Sequence, residues 1–152
     1  MLRAAAGPAD VCMTVTLLDG LVLARAVFSH SMNFRSVVVL GRAEEVADPA
    51  EKLVASEALV EHVCRGRWAD ARHPNEKELA TTAILRLSLD EASAKVRTGG
   101  PKDAEADLCL PVWAGYLPLA VRPLRPVPDD RLTGTDGPPA YATGYTRPGW
   151  TD

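Results

Sequence analysis

Asn33, Arg35 and Ser36 stand together at the entrance of an apolar run, and their side chains are of the kind that hydrogen-bond a polar, anionic ligand. An amide, a guanidinium and a hydroxyl offer hydrogen bonds to a polar ligand where the sheet opens. The same three residues would do no chemistry if they only satisfied backbone groups at a strand start, which such polar residues commonly do. The apolar run Val37 to Leu40 follows and ends at Gly41, a pattern expected of a strand over 36–44 buried on both faces. His30 precedes the trio, while His62 and His73 lie elsewhere. None of the three has a carboxylate or cysteine at ligand spacing, so no metal site is expected. Lys95 and Arg97 alternate on one strand and could meet an anionic substrate, although a solvated face is the simpler explanation. Trp113 offers a flat apolar plate for a ligand, an interface or the core. No nucleophile elbow, P-loop or Rossmann glycine motif is present, and no residue is assignable as a general acid or base.

The elements that position these residues follow from local patterns. Val11 to Leu17 alternates with period two, and Asp19-Gly20 next to it is a hairpin signal. Leu21 to Phe28 is then a returning strand or an irregular connection. Asp48, Pro49 and Glu51 predict a capped helix over 49–63 with Glu51 completing a capping box and Leu53, Val60 and Val63 on its apolar side. Asn75 and Glu78 predict a second, shorter helix by the same logic. Strands are expected over 83–89 and 92–97, the latter with Ser93, Lys95 and Arg97 on one face. A loop spans 99–110, and a last strand over 112–121 lies near an edge because Pro118 cannot donate to a ladder. Half of the twelve prolines fall from Pro123 onward without periodicity. This divides the chain into a domain over 1–122 and a tail over 123–152 expected to be disordered or loosely draped over the surface.

Composition sets the outer limits. The chain has 152 residues, with 17 Lys and Arg against 20 Asp and Glu for a net charge of −3. No basic cluster is present to neutralise phosphates, so nucleic acid is not an expected partner. No apolar run reaches membrane-spanning length, and Met1 to Gly7 does not read as a signal peptide. Cys12, Cys64 and Cys109 are far apart and form no CxxC pair, as expected of reduced thiols in a cytoplasmic protein. Strands dominate with two helices inserted, an α+β protein on a small barrel or a strongly curled sheet.

The order of these segments resembles the pyridoxamine 5′-phosphate oxidase-like flavoproteins, in the flavin-nucleotide-binding or nitroimidazole-resistance-related branch. The run from His30 to Gly41 is similar to the family's His-Ser-x-Asn-Tyr-Arg-Ser-Val-Val-Val-Phe-Gly, with Phe34 where the family has Tyr, so a hydroxyl contact from that ring is lost. Gly66 to Arg72, Pro74 to Leu79, Leu85 to Gly99 and Pro111 to Leu119 continue the resemblance in order, covering about residues 1–122.

The resemblance implies an antiparallel, Greek-key-like FMN-binding split β-barrel, working as a cytoplasmic homodimer on a small molecule. The cofactor is FMN or another flavin or deazaflavin, and His30, Asn33, Arg35, Ser36 and Trp113 are its expected contacts. It also implies that the first strands of the barrel precede Val11 and are absent here, as a start assigned at an internal methionine (the favoured explanation) or a genuinely shortened gene would give. On that reading the chain as written folds weakly and holds flavin loosely. True pyridoxamine 5′-phosphate oxidase activity is disfavoured, because no basic, His-containing segment follows the last strand and Trp150-Thr151-Asp152 does not supply one. The alternatives are a flavin carrier or degenerate scaffold without turnover, and a barrel that binds some other small ligand.

Overall fold

The computed structural model of the protein describes residues 9–134 and 137–146. The expectations for Met1 to Gly7 and for the last three residues lie outside the described residues. The chain divides into two compact units: Met1–Glu44 with Leu87–Val121, and Glu45–Arg86 with Arg122–Asp152.

The first unit is an antiparallel sheet. Strand β1 (Ala9–Leu23) pairs with β2 (Ser31–Glu45) along nearly their whole lengths, from Ala9 opposite Ala43 to Val22 opposite Ser31. On its other side β2 pairs with β4 (Ala92–Arg97), and β1 pairs with the short β5 (Gly115–Pro118).

The expected hairpin at Asp19-Gly20 is not there. Leu18 faces Phe34 and Gly20 faces Asn33, so Asp19 is an extra, unpaired residue in a continuous strand. The competing principle is the bulge, which accommodates one residue and keeps the ladder running. Gly20 is there for a close approach: a Cβ on it would lie 2.8 Å from the Leu117 carbonyl oxygen. The chain reverses instead over residues 24–30, with a 3-10 turn at Val27–Ser29. β2 takes in the 36–44 strand expected from sequence and ends one residue beyond it, but it is not buried on both faces: Val37 and Leu40 remain 40% and 51% exposed. Among the described residues of this unit, Val22, Ala24, Val39 and Ala43 are the buried apolar side chains.

The second unit begins where Val46 donates its amide to the Ile84 carbonyl at 2.9 Å. Between them lie three helices, not two: α1 (Pro49–Val63), α2 (Arg67–Asp70) and α3 (Glu76–Thr81). Asp48 caps α1 by accepting from the Ala50 and Glu51 amides, at 3.2 and 3.3 Å. Glu51 does not close a capping box; its carboxylate takes the Arg86 guanidinium at 3.0 Å. The apolar side of α1 is also not buried, since Leu53 and Val63 are 36% and 54% exposed and Lys52 is the buried residue. Lys52 Nζ donates to the Thr82 and Leu79 carbonyls at the end of α3, at 2.7 and 3.4 Å, where a cation is favoured. Short α2 exists because Glu61 accepts from the Gly66 and Trp68 amides at 2.8 and 2.9 Å. At α3 both halves of the Asn75–Glu78 capping box form as expected.

Strand β3 is only Leu85–Arg86, and β5 is shorter than the 112–121 expected from sequence. Arg122 onward groups with the helices, and a short α4 (Ala140–Thr143) carries Tyr141, which bonds Asp70 and accepts from Arg67 Nη1 at 2.7 Å. Tyr145 donates to the Val63 carbonyl at 2.8 Å.

Candidate functional site

Directly opposed residues of antiparallel strands point to the same face. The register therefore assembles a row across three strands: Thr16 of β1, Ser36 of β2 and Lys95 of β4. The Thr16 and Ser36 hydroxyl oxygens are 2.8 Å apart. The neighbouring rows are Leu18, Phe34 and Arg97 on one side and Thr14, Val38 and Ser93 on the other. Lys95 Nζ lies 6.0 Å from the Phe34 ring centroid, within cation–π range. One sheet face thus carries four hydroxyls and two cations around a small apolar patch.

The five residues singled out from sequence are dispersed around this face. Ser36 is on it. Arg35 alternates to the opposite face, where its guanidinium donates to the Asp19 carboxylate at 2.8, 3.0 and 3.3 Å. The Arg35 hydrogen bond holds the Asp19 carboxyl below its ordinary range, and Asp19 in turn raises Arg35. Asn33 is buried and already engaged: Nδ2 donates to the Gly99 carbonyl at 3.0 Å and Oδ1 accepts from Arg97 Nη1 at 3.2 Å. It fixes the turn after β4 and one of the two cations. His30 Nδ1 accepts the Ala24 amide at 3.2 Å and steadies the β1–β2 connection. Trp113 is 64% exposed, with its ring packed over Gly115.

Period-two alternation alone marks Thr16 as a strand alternate and leaves Lys95 on a solvated face. The alternation of Ser93, Lys95 and Arg97 was visible, but only the register sets Lys95 beside Ser36. The resulting face is built to receive hydrogen-bond acceptors and negative charge, with hydroxyls that can also accept.

A family profile described as pyridoxamine 5′-phosphate oxidase matches residues 1–96, well over half of the chain. The chain belongs to the pyridoxamine 5′-phosphate oxidase family. Solved structures agree with membership of the pyridoxamine 5′-phosphate oxidase family. The flavocytochrome Anf3 from Azotobacter vinelandii is 42% identical with a TM-score of 0.85, and the match covers 91% of this chain and 65% of that one. The FAD and heme binding protein from Mycobacterium smegmatis is 34% identical with a TM-score of 0.87, covering 96% of this chain and 72% of that one. The chain thus spans just under two thirds of the flavocytochrome's length. A comparison with curated proteins found no match. The α+β split-barrel class expected from sequence is the fold of the family.

Proposed function

We propose that this protein is a flavin-binding subunit of a cytoplasmic oxidoreductase that acts on a small molecule as a homodimer. One observation carries the reading: a protein 42% identical over 91% of the chain is a flavocytochrome. The donor set on the sheet face fits such a cofactor. Lys95 and Arg97 suit a phosphate, and the Thr14, Thr16, Ser36 and Ser93 hydroxyls suit a ribityl chain. These groups are common to FMN, expected from sequence, and to FAD, named for the Mycobacterium smegmatis protein. When bound, the flavin supplies electron and hydride exchange with a donor and a small oxidised substrate. The chain's own part is to bind and orient: Lys95 and Ser36 contact the ligand, while Asn33 positions Arg97. Arg35 braces the bulge through Asp19 and acts from the other face. His30 serves the site by holding the β1–β2 connection.

The test is titration of the cofactor-free chain with FMN and with FAD, followed by quenching of flavin fluorescence. Lys95→Met removes a charge-assisted hydrogen bond worth about 1.5–3 kcal/mol, so the Kd is expected to rise about 10- to 100-fold with the fold unchanged. An unaltered Kd would place the flavin elsewhere on the protein. Anaerobic bleaching by a nicotinamide donor then separates an enzyme from a carrier without turnover.

A further inference from the structure

Lys52 ends the first turn of α1 and is only 7% exposed. Its backbone is fixed on both sides, the amide donating to the Asp48 carbonyl at 2.9 Å and the carbonyl accepting from the Ser56 hydroxyl at 2.7 Å. An ammonium carries three N–H groups. Two go to the Thr82 and Leu79 carbonyls, the second of these long at 3.4 Å, and no carboxylate among the described residues pairs with the charge. Together with Ala47, Pro49, Glu76, Leu79 and Ala80, Lys52 lines a hollow of about 510 Å³. Every one of these residues belongs to the helical unit.

Capping the end of α3 uses two of the ammonium's hydrogen bonds and leaves its charge without a counterion. Buried charges are ordinarily paired, because neutral acceptors return only part of the hydration that burial removes. The hollow is of the size that small-molecule sites have, and apart from Lys52 and Glu76 its side chains are apolar. A carboxylate reaching Lys52 would take the remaining N–H in a charge-assisted bond, and an alkyl or aryl body would cover the apolar walls. Glu76 sets the limit on charge. A second negative group on the ligand would meet its carboxylate, so dicarboxylates and phosphates are disfavoured, and an organic amine would meet Lys52 with the wrong sign.

We propose that this hollow binds a small monocarboxylate with an apolar body, its carboxylate on Lys52 Nζ. The proposal stands apart from the flavin reading and uses no residue of the sheet face. Isothermal titration calorimetry of the full chain tests it, with hexanoate as the probe and hexanamide, hexylamine and succinate as controls. Hexanoate is expected to saturate one site per chain and to bind at least tenfold more tightly than each control. Lys52→Met should weaken hexanoate at least tenfold and erase its advantage over hexanamide. Because that variant also uncaps α3, Ala80→Trp is the second. It keeps the ammonium and both carbonyl acceptors while filling the hollow, and should abolish hexanoate binding with far-UV circular dichroism unchanged. Glu76→Gln should raise succinate affinity toward that of hexanoate. Any control that binds wild type as tightly as hexanoate overturns the proposal. So does a wild type that takes up no hexanoate, or a hexanoate affinity that Lys52→Met and Ala80→Trp leave untouched.

Discussion

Glu78 occupies the third position of α3, and its two carboxylate oxygens receive Arg72 at 2.8 and 3.0 Å and the Asn75 amide at 2.8 Å. These bonds, the Arg72 pair foremost, lower its pKa from 4.5 to about 2. A carboxyl with a depressed folded pKa contributes stability above its unfolded value, and that contribution fades as pH falls through the folded value. Glu78→Gln should therefore melt below wild type at neutral pH, with the gap closing between about pH 4.5 and about pH 2. A gap that persists at pH 2 would mean that Glu78 acts by packing and not by charge. This box was legible because both partners lie three residues apart. Glu51 has the same spacing from Asp48, yet its carboxylate goes to Arg86, thirty-five residues away. Local spacing names a candidate, and long-range partners decide whether it is used. Asn33, Arg35 and Ser36 show the same limit: adjacency in sequence separates Arg35 and Ser36 onto opposite faces, while Lys95 arrives beside Ser36 from another strand.

At the scale of elements, β1 turns on Asp19 and Gly20. Asp-Gly between apolar runs is a turn signal, but Leu21 to Leu23 continue to pair along β2 and with β5, and the extra residue is absorbed as a bulge. Nothing local distinguishes the two outcomes; the partner strands do. Gly20 is fixed by the approach of β5, since an added Cβ would meet a backbone oxygen that cannot rotate away. Gly20→Ala is expected to cost about 1–3 kcal/mol in urea unfolding, the usual range for forcing atoms into a packed site. A variant as stable as wild type would show that β5 tolerates displacement from β1. The helical segment was half legible for a related reason. The start of α1 follows from Asp48 and Pro49, whereas α2 depends on Glu61 reaching two amides across the turn, a pairing no periodicity reveals.

At the scale of the molecule, the order of segments was enough to name the family, and the fold followed from it. What the sequence could not carry is how the apolar surface is covered. Among the described residues the buried hydrophobic side chains are Val22, Ala24, Val39, Ala43 and Val46, all small or β-branched. Met13, Val15, Leu17, Val37 and Val96 share one face of the sheet by register and stay exposed. Arg35 lies among them, between Leu17 and Val96 in register. Period-two patterns report which residues share a face, and they are silent on what lies against it.

The central claim is that this protein is a flavoprotein. The most direct test is the absorption spectrum of the purified, folded chain, with the released chromophore identified by chromatography, before and after incubation with FMN and with FAD. Flavin bands at one flavin per chain are the predicted result. A folded chain that is colourless and takes up neither flavin would contradict the account.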